Sequence, residues 1–260
     1  MKLTILGCGG SHGVPAIGGQ WGACDPANPK NRRLRASVLI ESRGQRILVD
    51  TSPDLRQQLL ATESGWLDAV IYTHGHADHL HGIDDLRMVN VIRKAPLDIY
   101  ADAATLAQIE SRFDYVLAPL DASAQPDMFF YKPWLVPHGI EGPFRIGDVE
   151  IVPFEQDHGF SKTLGFRFGP IAYSTDVVAL DEAAFRALEG VEIWVVDALR
   201  FETHMTHSHF ERTLDWIARV KPKRAILTHM NLSMDYAAVR ARCPPGVEPG
   251  YDGLVAEAAD

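Results

Sequence analysis

A chain of 260 residues with 46% hydrophobic and 23% charged residues is long enough to bury a sizeable core and too apolar to be disordered or collagen-like. Its net charge of −9 repels nucleic acid, so no stable nucleic-acid complex is expected, and an anionic substrate must be held by local positive charge. The three cysteines, Cys8, Cys24 and Cys243, are odd in number and far apart, which argues against a disulfide-stapled secreted fold and fits a reducing compartment.

The first apolar run, Leu3–Leu6, reads as a strand and breaks at Gly7. It is too short for a signal-peptide core, and no stretch reaches the ~20 apolar residues of a membrane span, so a cytoplasmic protein without membrane contact is expected. Residues 7–35 follow as a long loop rich in Gly, Pro and Asn that closes on the basic cluster Lys30, Arg32, Arg33 and Arg35. Strands are expected at Ser37–Ile40 and Arg46–Val49 about a Ser-Arg-Gly turn, then a helix from Ser52-Pro53, then strands Ala69–Tyr72 and Asp98–Tyr100. Thr105–Arg112 reads as a helix, and residues 113–137 form a second excursion, rich in proline and in aromatics that include Phe129, Phe130, Tyr131 and Trp134. Beyond a Gly147-Asp148 turn come strands Val149–Phe154, Leu164–Phe168 and Ile171–Tyr173, a helix Asp181–Leu188 and a strand Ile193–Val196. A helix opening at Ser208, with Glu211 completing a capping box, and a strand Ala225–Leu227 follow. Interleaved strands and helices predict an α/β protein with sheets covered by helices. No linker or repeat divides the chain, so residues 1–260 are expected to form a single domain.

The sharpest local signal is His74-Gly-His76-Ala-Asp78-His79, directly after the strand Ala69–Tyr72. Neither a strand nor a regular helix points four such side chains one way. A turn at a strand's end fans them around a small centre, and Gly75 and Ala77 leave room for close approach. His158, Asp176 and His229 each lie just beyond an apolar run, where a sheet delivers loop residues to one edge. Singly each reads as a cap or a hydrogen-bonded loop residue; beside the first motif they complete a donor set. Five imidazoles and two carboxylates without a thiolate suit Zn²⁺, Mn²⁺ or Fe²⁺.

In the order HxHxDH, then His, Asp and His, the chain resembles the metallo-β-lactamase superfamily over nearly its full length. The resemblance implies a four-layer αβ/βα sandwich of two mixed β-sheets flanked by helices, with the site along one edge of the sheets. It implies two divalent metal ions per chain: His74, His76 and His158 on one, Asp78, His79 and His229 on the other, and Asp176 bridging both. Asp50, at the end of the strand Arg46–Val49, matches the buried aspartate that braces the metal loop. Ions ~3.5–4 Å apart would share a hydroxide as the attacking group. Four positive charges against two carboxylates and that hydroxide leave a positive pocket in an acidic protein, which favours a small anionic phosphodiester.

Asp176 places the resemblance with the Asp-bridged branches: glyoxalase II-type thioesterases, tRNA 3′-processing nucleases, lactonases and PhnP-type cyclic phosphodiesterases. The segment Leu6-Gly-Cys-Gly-Gly-Ser-His-Gly-Val-Pro-Ala16, Thr206-His207-Ser208 and Ile226-Leu-Thr-His229 are most similar to the PhnP-type group. There, the position of His207 holds a histidine outside the metal shell that acts as general acid, so Asp78 and His207 are the expected catalytic residues. That group carries a cysteine-rich structural zinc site after the first loop; this chain has only Cys24 there, so no third metal is expected and a phosphonate pathway is not implied. His12 and Arg32, with Arg33 and Arg35, are candidate contacts to substrate phosphate, and the aromatics at 129–134 a candidate pocket wall; loop hydrogen bonds, solvation and plain packing are the competing readings. Exposed sheets leave room for a homodimer. The expected function is hydrolysis of a small phosphodiester, cyclic or nucleotide-like, with a thioesterase or lactonase, an RNA-processing nuclease and a non-catalytic ligand binder as alternatives.

Overall fold

Alternation of apolar side chains sets the layers. In a computed structural model, whose described residues are 1–120 and 130–259, the first sheet runs in the order β14 (Val255–Glu257), β1 (Lys2–Gly7), β2 (Ser37–Ser42), β3 (Gln45–Val49), β4 (Ala69–Ile71), β5 (Leu97–Ala101) and β6 (Leu135–Gly139). Val38, Ile40, Ile47, Val49, Ala69 and Ile71 are buried in one core, while Leu39, Leu48 and Val70 on the opposite face are buried in another. The first core joins this sheet to a second, of order β7 (Phe144–Ile146), β8 (Val149–Asp157), β9 (Lys162–Phe168), β10 (Ile171–Ser174), β11 (Ile193–Asp197), β12 (Arg224–Thr228) and β13 (Val247–Pro249), through Ile151, Phe166, Phe168 and Ile171. The other core lies under α1 (Leu55–Ala61), α3 (Leu86–Arg93) and α4 (Ala103–Leu117), which supply Leu55, Leu86, Val89, Ile109 and Val116. On the far side, α5 (Glu182–Ala187), α6 (Phe210–Val220) and α7 (Tyr236–Arg242) contribute Ala184, Phe210, Ile217 and Val239. The result is the expected four-layer α/β sandwich. Read in these orders, each sheet makes three antiparallel pairings and then three parallel ones. Among the described residues no helix is long and apolar enough to cross a membrane.

All ten expected strands are present, and the turns at Arg43-Gly44 and Gly147 carry the positive φ that tight hairpins need. The four strands absent from the sequence reading, β6, β7, β13 and β14, are the four edges of the two sheets. Edge strands pair on one side only and tolerate proline, so Pro137 in β6 and Pro249 in β13 mask the pattern. The stretch 113–137 is therefore not one loop: α4 extends through Leu117 and β6 begins at Leu135. Three helices were also not expected: the four-residue α2 (Ala77–Leu80), α3 and α7. The capping box at Ser208 does not form. His209 is the N-cap, and the Ser208 hydroxyl instead accepts from Thr213 Oγ1 at 2.7 Å. Pro53 precedes α1, whose N-cap is Asp54.

The basic cluster divides. Arg33 is buried, with Nη2 donating to the Met234 carbonyl at 2.6 Å and to Asn31 Oδ1, and Nη1 donating to the Asn231 carbonyl. Arg35 is paired with Asp54, Nε to Oδ2 at 2.8 Å; against the burial that would raise it, this pairing holds the Asp54 carboxyl below its ordinary range. Neither is free to clamp a phosphate. Arg32 alone is exposed, over the Trp21 ring. Arg33→Ala should cost about 3 kcal/mol or more in denaturant unfolding because several carbonyls lose a charged donor, whereas Arg32→Ala should stay within ~0.5 kcal/mol.

The C-terminal segment is tied to the first loop by Asp252, which accepts from the N–H groups of Leu34 at 2.7 Å and Cys8 at 3.1 Å. Burial pushes its carboxyl up to about 7 from an ordinary 3.8. The folded state thus holds a proton that the unfolded chain releases, and this contribution to stability declines as pH rises from the unfolded value through the folded one. Melting curves between those two values should show Asp252→Asn losing that component of the pH slope.

Candidate metal centre

The loops leaving β3, β4, β8, β10 and β12 bring their first polar residues together at one edge of the sandwich. Asp50, just past β3, sits fully buried with a left-handed backbone, φ 66°. Its Oδ1 accepts from the Thr73 N–H at 2.8 Å, and its Oδ2 accepts from Thr73 Oγ1 at 2.8 Å and from His79 Nδ1 at 2.7 Å. The His79 proton is thereby fixed on Nδ1, and Nε2 turns toward Asp176 Oδ2 at 3.0 Å. Thr73 Oγ1, its own proton given to Asp50, accepts from His74 Nδ1 at 3.0 Å and orients that ring likewise. Asp50 thus braces the motif loop. His158 is set by the same device, Nδ1 donating to the Thr206 carbonyl at 2.7 Å.

The motif is split between a turn and a helix. His74 and His76 lie on the turn, while Asp78 and His79 occupy the first turn of α2, for which His76 is the N-cap. Gly75 allows α4 to press on the turn: a Cβ there would stand 2.2 Å from Gln108 Oε1, and Arg112 Nη1 donates to its carbonyl at 2.7 Å. The seven sequence-derived donors form two groups with ligand atoms within 4.8 Å of one another: His74, His76, His158 and Asp176, and Asp78, His79, His229 and Asp176. Asp176 belongs to both. Like Asp50, Asp176 (φ 54°) and His229 (φ 56°) are held in the left-handed region, a cost of about 1–3 kcal/mol each that surrounding structure must offset.

Burial opposes ionisation of Asp78 and Asp176, yet the imidazoles facing them, His79 and His229 foremost, hold both carboxyls well below their ordinary range. Burial and the adjacent His79 keep His74 well below the usual imidazole value, so it is neutral and its lone pair is available. Among the described residues the buried Nε2 atoms of His74, His79 and His229 make no hydrogen bond of good geometry, although that of His79 faces Asp176 Oδ2 at 3.0 Å. Stacked imidazoles with unpartnered nitrogens around two carboxylates are unfavourable in a dry interior unless a cation completes them.

His207 lies at the border of the cluster. Its Nδ1 donates to Asp197 Oδ2 at 3.0 Å and its Nε2 is 3.8 Å from Asp176 Oδ1. Asp197, at the end of β11, is fully buried and was missed in the sequence; its position after the apolar run Ile193–Val196 is the same signal that singled out Asp176 and His229. Asp197, His207 and His229 also fall within 4.8 Å of one another. His12 is exposed and lines a recess beside the cluster, whereas Arg32 borders a groove on the other side of the Gly10–Gly13 turn. The described aromatics, Phe130, Tyr131 and Trp134, do not line that recess. Phe130 is buried, the backbone of Trp134 is clasped by Asn90 of α3, and Tyr131 is exposed elsewhere; Phe129 lies outside the described residues.

A family profile described as a β-lactamase superfamily domain matches residues 45–230, which span every donor from Asp50 to His229. The chain belongs to the metallo-β-lactamase superfamily. A solved structure described as a new diphosphatase from the PhnP family superposes on this superfamily member with a TM-score of 0.89 at 32% identity, covering 99% of this chain and 98% of that one. An octanoyltransferase of Porphyromonas gingivalis is 32% identical over 98% of this chain, which spans only 51% of that protein's length. A coenzyme PQQ synthesis protein B of Xanthomonas oryzae pv. oryzae is 26% identical, with 98% of this chain and 99% of that one covered.

For this superfamily member the donor chemistry fits a divalent metal: imidazoles of which His74, His79 and His158 are oriented through Nδ1, carboxylates held ionised, and buried nitrogens aimed inward. A chelator should lower the melting temperature. Returning Zn²⁺ or Mn²⁺ at about 100 times its dissociation constant should restore ~2.7 kcal/mol of stability, and His79→Ala should abolish most of that gain.

Proposed function

We propose that this protein is a dinuclear metal-dependent phosphodiesterase that hydrolyses a small phosphodiester, cyclic and nucleotide-like substrates included. Two four-donor groups sharing Asp176 suit a pair of ions. When bound, such ions lower the pKa of coordinated water toward ~7 and stabilise charge on the attacked phosphoryl group. The residues of the chain do the rest. Asp176 and Asp78 hold negative charge between the imidazoles, and Asp50 keeps His79 and, through Thr73, His74 in their orienting tautomers.

The observation that carries the reading is the His207–Asp197 pair. Asp197 takes the Nδ1 proton of His207 in a hydrogen bond and directs Nε2 to the rim of the cluster, 3.8 Å from the shared carboxylate. A protonated Nε2 there meets the oxygen that leaves phosphorus. An alkoxide needs that proton and a thiolate does not, so the pair favours a diester over the thioester of the main rival. The similarity to a PhnP-family diphosphatase at 32% identity supports the same branch.

A panel of bis(p-nitrophenyl) phosphate, 2′,3′-cyclic nucleotides, cyclic ribose phosphates and acyl thioesters should show diester cleavage and little thioester turnover. His207→Ala should lower kcat for the cyclic nucleotides and ribose phosphates, whose alkoxides need a proton, by ~10²–10⁴ with metal content unchanged. The loss should be much smaller for bis(p-nitrophenyl) phosphate, whose nitrophenolate leaves without a proton, and Asp197→Asn should follow the same pattern. Thioester turnover that survives His207→Ala intact would instead identify a thioesterase.

A further inference from the structure

The five imidazoles of the centre are not held equally. His74, His79 and His158 are tethered through Nδ1, and His229 is buried on its left-handed backbone. His76 is exposed, and among the described residues its ring makes no hydrogen bond. Its ring contacts are with other donors, at centroid distances of 4.5 Å to His74 and 5.2 Å to His158. Where His76 stands is therefore decided by the backbone of the turn 74–76.

That backbone is gripped by α4. Arg112 Nη1 donates to the Gly75 carbonyl, which lies between the two histidines, and the Gln108 side chain fills the space that a Cβ on Gly75 would need. Directly after Arg112 the helix leaves helical geometry at Phe113 (φ −138°, ψ 35°). The Phe113 ring meets that of His81 edge-on at 5.3 Å, and the Tyr115 hydroxyl donates to Asp84 Oδ1 at 3.0 Å. Residues 108–115 thus lie along the chain from Gly75 to Asp84, and Arg112 is the charged contact at its ligand-bearing end. Among the described residues no carboxylate neutralises Arg112, and its bond to Gly75 is the one hydrogen bond it makes.

Charge and geometry act here with opposite sign. A guanidinium beside a site for divalent cations repels them, so by charge alone Arg112 weakens metal binding. A charge-assisted bond to the carbonyl between two ligands instead fixes the turn and strengthens it. Resting on the two-ion reading above, we propose that Arg112 is a positioning residue that sets His76 for the group His74, His76, His158 and Asp176. The other group does not depend on it, because His79 is braced by Asp50 and His229 by its own burial.

Calorimetric titration of the metal-free protein with Zn²⁺ or Mn²⁺ tests this. Wild type should take up two equivalents. Arg112→Met, which removes donor and charge together, should weaken one equivalent by about 10–100-fold and leave the other within about threefold. Arg112→Lys, which keeps both, should recover most of the loss. His76→Ala should weaken the same equivalent, and adding Arg112→Met to it should cost nothing further, since the two act on one contact. Gln108→Ala loosens the turn without touching Arg112 and should shift that equivalent in the same direction. Unchanged or tighter binding in Arg112→Met, equal weakening of both equivalents, or additive losses in the double variant overturns the positioning role and leaves the two-ion reading standing. Uptake of a single ion by wild type overturns the two-ion reading instead, and an Arg112→Met loss on that ion, rescued by lysine and absent in the His76→Ala background, keeps the positioning role.

Discussion

The Asp50 carboxylate is the interaction on which the site depends. It is fully buried, sits on a left-handed backbone, and accepts three hydrogen bonds, from the Thr73 N–H, Thr73 Oγ1 and His79 Nδ1. Burial raises its pKa, and the facing His79 opposes that rise. Those three bonds register the end of β3 against the loop after β4 and decide which nitrogens of His74 and His79 face the centre. A carboxylate placed there without all three partners would be a buried, under-satisfied charge, which makes the loop conformation and the ring orientations a single cooperative arrangement.

The other half of the molecule uses weaker versions of the same device. A carbonyl 48 residues away orients His158, and a carboxylate 10 residues away orients His207. The left-handed residues Asp176 and His229 interrupt their strands abruptly enough to turn the side chains back across the sheet edge. The strain is affordable because β10, β11 and β12 are interior strands, buried on both faces except at Arg224, where β12 begins.

Charge is handled locally. The chain is acidic overall, yet its arginines near the site are assigned distinct tasks: Arg33 knits the first loop to residues 231–234, Arg35 is neutralised by Asp54, and Arg200 buttresses its own loop. Arg33 Nη1 lies 4.0 Å from Cys24 Sγ, so the same guanidinium also gathers that part of the first loop.

By itself the sequence determined the layer class and the ten interior strands, and it singled out seven polar side chains that the fold brings together, because each leaves a short-range mark. Buried strands read as apolar runs, and the clustered side chains follow those runs closely, as His74 follows Tyr72-Thr73 and His229 follows Leu227-Thr228. The tertiary structure alone decided the edges and the partners. The edge strands β6, β7, β13 and β14 carry proline or polar residues because only one side must pair. The fates of Arg32, Arg33 and Arg35 diverge although they are near neighbours, because burial depends on residues 54 and 231–234 folding back upon them. Asp197 became legible only when His207 arrived beside it. A lone aspartate at a strand's end is common, and only the path of the ten residues that follow brings it a proton to hold.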